Sequence, residues 1–225
     1  MASTLKNAIK DLIYLLNRGY SRDSAINFVS LRYDLNKEER EILKRGVFSD
    51  TESEKRKAKK VPIKTVKNET VVVDGYNVLV TSRAVINNKP IFLGTDGFLR
   101  DIESLNSRKS ILSFDGLKVA ENIMRILKNN NAKFVIFVFD SQVSKSGKLA
   151  KEVEKLLNKF QVKGVAKTSK SADDEIISLG KITASSDTYI IDNVDKCVDL
   201  PMEVLKDIRK LWKREIDFDC MSIKV

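Results

Sequence analysis

The fold is decided by two stretches, Val-Val-Val-Asp at residues 71–74 and Phe-Val-Ile-Phe-Val-Phe-Asp at residues 134–140. Both are continuous runs of β-branched and aromatic residues, which are typical of strands buried on both faces of a parallel sheet. Shorter strands are predicted at 91–93, 162–166, 182–184 and 189–191, and helices at 117–127, 149–160, 173–179 and 202–212. This alternation predicts a three-layer α/β domain with a mainly parallel sheet over residues 69–225.

Before this domain, three short amphipathic helices predict a small helical bundle at residues 1–48. The first helix ends at Gly19, and Ser21 is placed to cap the second, whose apolar face includes Phe28. The third begins with a capping-box pattern, Asn36 with Glu39 three residues later.

Residues 49–68 lose this periodicity and predict a solvated basic linker. Residues 1–67 carry +7 of the formal net charge of +10, and part of it lies in the run Lys-Arg-Lys-Ala-Lys-Lys at 55–60. The run is compatible either with solubility alone or with binding of a polyanion. If it binds nucleic acid, the residues in contact with the backbone are Lys55, Arg56, Lys57, Lys59 and Lys60.

Composition excludes several kinds of chemistry. The 225-residue chain has no histidine, which rules out Ser-His-Asp and Cys-His nucleophile systems and every zinc site that uses histidine. Its two cysteines, Cys197 and Cys220, form no paired motif, so we expect a reducing, cytoplasmic setting. No apolar run approaches the roughly 18 residues of a membrane span, and the first ten residues do not resemble a signal peptide, so no membrane partner is expected.

Acidic residues follow three of the predicted strands. Asp74 and Asp140 come directly after the two long apolar runs, and Asp187 follows the strand at 182–184 after two serines. Taken singly, each is more typical of a turn or a helix cap. Together they predict an acidic cluster, because ligand sites in such sheets lie at the carboxyl ends of the strands.

A fourth acid is expected from Ser-Ala-Asp-Asp-Glu at residues 171–175, which opens a helix. Asp174 occupies the capping-box position, whereas Asp173 shares a helical face with Ile176 and Ile177 and should lie toward the sheet. We therefore assign Asp173 to the cluster and keep Asp174 as an auxiliary residue. Clustered carboxylates repel one another unless a cation neutralises them, and hard oxygen ligands suit Mg²⁺ or Mn²⁺.

The sequence Val-Val-Val-Asp-Gly-Tyr-Asn-Val-Leu at residues 71–79 resembles the opening strand and loop of PIN-like nucleases, particularly the NYN branch. The later acids of that family are matched by Asp140, by Ala172-Asp173 and by Ser185-Ser186-Asp187, so the resemblance covers roughly residues 70–195. It implies a PIN-like fold and a divalent-metal-dependent ribonuclease. The residues that it implies as catalytic metal ligands are Asp74, Asp140, Asp173 and Asp187.

The whole chain also resembles an uncharacterised, largely archaeal family that joins a small helical domain to such a PIN-like domain. The segments that carry this likeness are residues 15–20, 96–101 and 144–147. It implies no particular activity.

Several auxiliary residues keep two interpretations. Asn77 could bind a phosphate or a metal-bound water, or stabilise its own turn. Ser144 and Ser146 could present backbone N–H groups to a phosphate, although helix N-capping is favoured. Asp96 and Asp101 could join the metal site, although an Asx turn and pairing with Arg100 are favoured.

The sequence thus predicts hydrolysis of phosphodiester bonds, with RNA favoured over DNA by the resemblance. A haloacid-dehalogenase-like phosphatase is disfavoured because position 76 is Tyr where that signature needs a second Asp. The alternative function is a catalytically inactive PIN-like protein that binds RNA or a ribosomal particle. A toxin role is disfavoured by the additional helical bundle, and the oligomeric state stays open.

Overall fold

A computed structural model describes residues 2–102, 111–212 and 221–222. The chain divides into two units, and each is described by itself. The helical unit comprises the described residues of 1–58, 90–102 and 219–225, and the sheet unit those of 59–89 and 103–218.

The described part of the helical unit forms four helices: α1 (Ala2–Asn17), α2 (Arg22–Arg32), α3 (Lys37–Gly46) and α4 (Asp50–Lys59), the last ending at its border with the sheet unit. It also contains an antiparallel hairpin, β2 (Ile91–Leu93) with β3 (Leu99–Asp101), and β2 pairs in parallel with β8 (Met221–Ser222). Leu12, Leu43 and Phe92 belong to its core. The strand predicted at 91–93 therefore exists, but it lies outside the main sheet.

The helix-end signals of the first three helices are partly confirmed. Asn36 Oδ1 accepts a hydrogen bond from Glu39 N at 3.0 Å and Glu39 Oε2 accepts one from Asn36 N at 2.9 Å, so the predicted capping box of α3 is present. Gly19 follows α1 with a φ of 81°, a conformation that favours glycine. Ser21 is the N-cap residue of α2 but its side chain makes no capping bond. The predicted burial of Phe28 is wrong, since its side chain is 63 % exposed.

The predicted linker at 49–68 contains α4 and a 3₁₀ helix at Ile63–Val66. A capping box starts α4: Ser49 N donates to Glu52 Oε2 at 3.1 Å, and Glu52 N donates to Ser49 Oγ at 3.3 Å. Ser53 and Arg56, one turn apart, are the buried residues of this helix. The sequence concealed α4 because its buried face is polar and shows no hydrophobic period.

Among the residues that the structure describes, the sheet unit has five parallel strands in the order β5-β4-β1-β6-β7. Their bounds are β1 Thr70–Asp74, β4 Phe134–Asp140, β5 Gly164–Ser169, β6 Ile182–Ala184 and β7 Lys196–Cys197. In the central strand, Val71, Val72 and Val73 are all fully buried. Since consecutive strand residues point to opposite faces, both faces of β1 are covered, and the predicted α/β class with a mainly parallel sheet is confirmed.

The described residues of the sheet unit form six helices: α5 (Gly75–Ile86), α6 (Phe114–Asn129), α7 (Ser146–Lys159), α8 (Ala172–Ser178), α9 (Thr188–Asn193) and α10 (Leu200–Trp212). The helices α5, α6, α7 and α10 pack together as one group, and α8 packs against α9. The strand predicted at 189–191 is wrong, because these residues form α9 with Ile190 and Ile191 buried. A short apolar run does not separate helix from strand by periodicity, and the Asp187 cap decides for the helix.

Within the described ranges, no helix combines the length and the apolar character that crossing a membrane requires. Cys197 is a free, buried thiol, and Cys220 lies outside the described residues.

Candidate functional site

The strand order places a cleft at the carboxyl end of β1. From β1 the chain moves outward through β4 to β5 and then returns to β6 on the other side of β1. Such a reversal of strand order marks the usual ligand site of an open parallel sheet. A cleft of about 390 Å³ lies at this point, and its lining includes Asp74, Asp140, Asp173, Asp187, Lys170 and Tyr189.

The structure therefore brings the four acids predicted from the sequence to one cleft. Asp74 and Asp140 end the adjacent strands β1 and β4, Asp173 lies in the first turn of α8, and Asp187 precedes α9. The convergence follows from the parallel topology, because the carboxyl ends of neighbouring parallel strands meet at the same edge of the sheet.

Asp74 occupies the central position. Its Oδ1 accepts a hydrogen bond from Asn77 N at 3.3 Å, which caps α5, and its Oδ2 accepts one from Ser185 Oγ at 2.9 Å. Burial raises the pKa of Asp74 to about 7; the negative charges of Asp187 and Asp173 add to the rise, and the two hydrogen bonds oppose it. The cleft therefore holds a carboxyl group that titrates near neutral pH.

Asp140 and Asp187 each use one carboxylate oxygen for local structure. Asp140 Oδ1 accepts from Gln142 N at 2.8 Å, and Asp187 Oδ1 accepts from Tyr189 N at 2.8 Å as the N-cap of α9. The turn and capping roles expected of single strand-end acids are thus present. The Oδ2 atoms of both residues have no hydrogen-bond partner among the described residues, so these acids keep an oxygen that can bind a ligand.

Asp173 and Asp174 both line the cleft and both are exposed. The expectation that Asp173 lies toward the sheet is wrong, because α8 has only seven residues and its first turn opens at the cleft. The predicted capping box is also absent, since the Ser171 side chain makes no capping bond. Asp174 Oδ1 instead accepts from the Tyr189 hydroxyl at 3.2 Å.

Asn77 links two segments of the cleft. Its Oδ1 accepts hydrogen bonds from Ser186 N at 2.8 Å and from Ser186 Oγ at 3.0 Å, which tie the first turn of α5 to the loop after β6. One interpretation expected the Asn77 side chain to stabilise its own turn, but its hydrogen bonds go to Ser186 instead. The other end of the carboxamide, Nδ2, makes no hydrogen bond with the described residues and is a donor at the cleft.

Sequence reasoning missed four residues of this site: Ser185, which donates to Asp74, and Gln142, Lys170 and Tyr189, which line the cleft. The Ser-Ser-Asp sequence at 185–187 was a signal for Ser185.

Below the cleft, Cys197 Sγ donates to Ser185 O at 3.1 Å, and burial raises the pKa of Cys197 to about 12, so this thiol stays protonated.

Two auxiliary acids lie elsewhere, in the helical unit. Asp96 is fully buried and receives two hydrogen bonds of 2.7 Å from the Arg100 guanidinium, and its Oδ1 also accepts from Phe98 N at 3.3 Å. The favoured local role of Asp96 is confirmed. Asp101 forms an ion pair with Arg45, with 3.5 Å between Arg45 Nη1 and Asp101 Oδ1.

The two auxiliary serines do not line the cleft. The N-cap residue of α7 is Lys145, with a φ of 66° and no side-chain capping bond, and Ser146 is the first helical residue. The favoured N-capping role of Ser144 and Ser146 is therefore wrong.

The five basic residues of the run at 55–60 lie in different environments. Arg56 is 5 % exposed and its guanidinium lies 4.3 Å from the centre of the Phe48 ring, so it is a core residue and the prediction that it contacts a nucleic-acid backbone is wrong. Lys59 donates to Ile191 O at 3.0 Å and Asp192 O at 2.6 Å, and Lys60 pairs with Asp199 at 2.8 Å. Lys55 and Lys57 stay exposed on α4.

The donor types of the cleft fit Mg²⁺ or Mn²⁺, since all four predicted ligands are carboxylates. Among the described side chains, however, no three acidic or cysteine residues lie close enough to hold one ion between them. The arrangement fits an ion held by one or two carboxylates, with water and a substrate phosphate as further ligands, which is the usual mode of Mg²⁺.

Comparison with known proteins gives a family without an assigned activity. The description "Domain of unknown function (DUF5616)" matches residues 63–203, and "Protein of unknown function (DUF434)" matches residues 4–59. An uncharacterised protein of Methanocaldococcus jannaschii, MJ0935, is 36 % identical over 209 residues, which cover 92 % of this chain and 99 % of that protein. No solved structure matches the chain. The predicted likeness to an uncharacterised archaeal family is thereby confirmed, and the chain belongs to the DUF5616 family.

Proposed function

We propose that this chain is a divalent-cation-dependent nuclease with a PIN-like fold that hydrolyses phosphodiester bonds, with RNA as its favoured substrate. One observation carries the proposal: Asp74, Asp140, Asp173 and Asp187 come from four separate segments and line the same cleft. Turn and capping roles explain a single acid at a strand end. They do not explain why four acids meet where the strand order reverses.

The acids have distinct roles in this proposal. Asp74, at the centre, and the free Oδ2 atom of either Asp140 or Asp187 would hold Mg²⁺ or Mn²⁺, with water and the substrate phosphate as further ligands and Asp173 at the mouth of the cleft. When bound, such an ion lowers the pKa of water and neutralises charge that develops on a phosphate. The serine network around Asp74 orients this carboxylate before a substrate arrives, because Ser185 Oγ donates to Asp74 and accepts from Asp187 N at 3.0 Å.

The substrate phosphate needs donors of its own in a cleft rich in negative charge. Lys170 lines the cleft with its exposed ammonium-bearing side chain, and Asn77 offers its Nδ2 group. A lysine provides a point charge for a phosphate, and an amide provides a directional hydrogen bond. Both groups come from the same edge of the sheet as the acids, so they are placed to orient a phosphodiester against them.

The test is cleavage of end-labelled single-stranded RNA, and of DNA of the same sequence, by the full chain in Mg²⁺, in Mn²⁺ and in EDTA. We expect cation-dependent cleavage that is lost in Asp74→Asn, because the amide keeps the shape of the side chain but removes the ligand charge. Asp195→Asn is the matched control, since Asp195 is exposed in the sheet unit and outside the cleft. Cleavage that persists in EDTA, or equally in Asp74→Asn, would contradict the proposal.

A second candidate function is binding of RNA or a ribosomal particle without cleavage. It is favoured by the raised pKa of Asp74, because a protonated carboxyl group is a poor cation ligand. The same experiment separates the two functions. RNA that the chain binds but leaves intact under every cation condition, from pH 6 to pH 9, supports binding alone.

A further inference from the structure

We propose that the Tyr189 ring stacks on an unpaired base and thereby makes single-stranded nucleic acid the ligand class of the cleft. This inference rests on the function proposed above, because it concerns the substrate of the same site. The proposal concerns binding and requires no bond to form or break.

Tyr189 is unusual in its exposure. Its side chain is 53 % exposed, and among the described residues of the sheet unit no other aromatic side chain is counted as exposed. The comparably exposed aromatic residues Tyr14, Tyr20 and Phe28 belong to the helical unit. Tyr189 therefore exposes apolar surface within a cleft whose other lining residues are mostly charged or polar.

The ring is held in position. The Tyr189 hydroxyl donates to Asp174 Oδ1 at 3.2 Å, its backbone N–H donates to Asp187 Oδ1 at 2.8 Å, and its carbonyl accepts from Asn193 Nδ2 at 2.8 Å. The two backbone bonds hold the helix turn that carries the side chain, and the hydroxyl bond holds the tip of the ring, so the ring loses little conformational freedom when a planar ligand packs against it. The arrangement thus prepares an aromatic face beside the acids.

A nucleobase is the planar ligand that the proposed function brings to this place. The faces of paired bases inside a duplex are covered by their neighbours, whereas an unpaired base offers its face to an aromatic side chain. Binding also needs a favourable contribution that is independent of charge, because the carboxylates repel a polyanion and Lys170 is the basic residue of the described lining. Stacking supplies that contribution without regard to base identity.

The test measures binding by fluorescence anisotropy, with the full chain carrying Asp74→Asn so that the probe stays intact. The probes are a fluorescein-labelled 12-nucleotide single-stranded RNA, the same RNA annealed to its complement, and a single strand with abasic positions at its centre. The parent is compared with Tyr189→Ala, with Tyr189→Phe, which keeps the ring but loses the bond to Asp174, and with Tyr20→Ala. Tyr20 is 58 % exposed in the helical unit and serves as the matched control.

We expect Tyr189→Ala to weaken binding of the single strand by about 5- to 100-fold, with Tyr189→Phe and Tyr20→Ala close to the parent. The abasic strand should bind the parent about as weakly as the intact strand binds Tyr189→Ala. The inference is overturned if Tyr189→Ala binds like the parent, if Tyr189→Phe or Tyr20→Ala loses as much, or if the duplex binds as tightly as the single strand. Cleavage by the wild-type chain is measured separately. If the wild-type chain cleaves RNA but Tyr189→Ala does not weaken binding, this inference alone is wrong. If Tyr189→Ala weakens binding but the wild-type chain does not cleave, only the catalytic proposal is wrong.

Discussion

The two acidic regions of this chain neutralise their charge in opposite ways. In the helical unit, the buried Asp96 carboxylate receives two hydrogen bonds from Arg100, and Arg56 lies 4.0 Å away. In the cleft of the sheet unit, Asp74, Asp140 and Asp187 form no ion pair with any described lysine or arginine. An acid that serves the structure thus has its cation within the chain, whereas the acids of the cleft depend on a proton or on a cation from outside.

The cations differ in the same way. Arg22, Arg56 and Arg100 all lie over the ring of Phe48, at 4.7, 4.3 and 5.3 Å from its centre. Arg22 also donates to Val47 O and Lys44 O at the end of α3, and burial lowers the pKa of its guanidinium. These three arginines make contacts within the helical unit, whereas Lys170 is exposed at the cleft of the sheet unit. The difference predicts that the same Asp→Asn change will have opposite effects on the stability of the two regions.

The largest effect is expected from Asp96→Asn. The change removes the negative charge that compensates buried Arg100, and breaking a buried ion pair by removing one partner costs about 3–5 kcal/mol. We expect a loss of roughly 3 kcal/mol in the free energy of unfolding, measured by urea denaturation with circular dichroism. A loss below about 1 kcal/mol, the range of exposed pairs, would mean that Asp96 is not the compensating charge and would break the comparison.

A smaller effect is expected from Gly75→Ala. A Cβ at Gly75, directly after Asp74, would overlap the side chain of Phe139, which directly precedes Asp140. Overpacking of a core contact costs typically 1–3 kcal/mol, and the displaced strand end should also lower cation-dependent cleavage. Gly147→Ala is the control, since nothing lies within 4 Å of a Cβ there and no loss of stability is expected. Equal thermal midpoints and equal cleavage rates for both variants would show that the close approach of Gly75 to Phe139 does not constrain the site.

The central fold and the cleft were predictable because they depend on local signals. Continuous apolar runs predict β1 and β4, and the rule that sites lie at the carboxyl ends of parallel strands predicts where Asp74 and Asp140 meet. The pairing of Asp96 with Arg100 was also accessible, since the two residues are four apart in the chain.

The remaining features depend on contacts between distant residues. The hairpin of β2 and β3 belongs to the helical unit although it follows β1 in sequence, and Lys60 pairs with Asp199 across 139 residues. No periodicity encodes such contacts, so the partner of an acid that lies far away in the chain, such as Lys60 for Asp199, could not be predicted. In α4 the buried residues are themselves polar, so no hydrophobic period marked this helix in the sequence.

The smallest effect is expected from Asp74→Asn, and it is a gain in stability where Asp96→Asn gives a loss. The pKa of Asp74 is raised from 3.8 to about 7 in the folded chain, so the folded state binds this proton more tightly than the unfolded state. Stability therefore falls as the pH rises from about 4 to about 7, and above pH 7 the full cost of the buried charge remains. Asn carries no charge and still caps helices well, so the variant should be more stable than the wild type at pH 8, by on the order of 1 kcal/mol.

Thermal unfolding between pH 4.5 and pH 8.5 measures this difference, which should vanish toward the acid end. Asp195→Asn, which changes an exposed acid outside the cleft, should show no such pH dependence. Added Mn²⁺ should then raise the Tm of the wild type at pH 8 and not that of Asp74→Asn, because an ion that binds only the folded state stabilises it. A stability difference that is constant with pH, or a Tm that rises equally in both proteins, would mean that the charge of Asp74 is already compensated from within the chain, as that of Asp96 is.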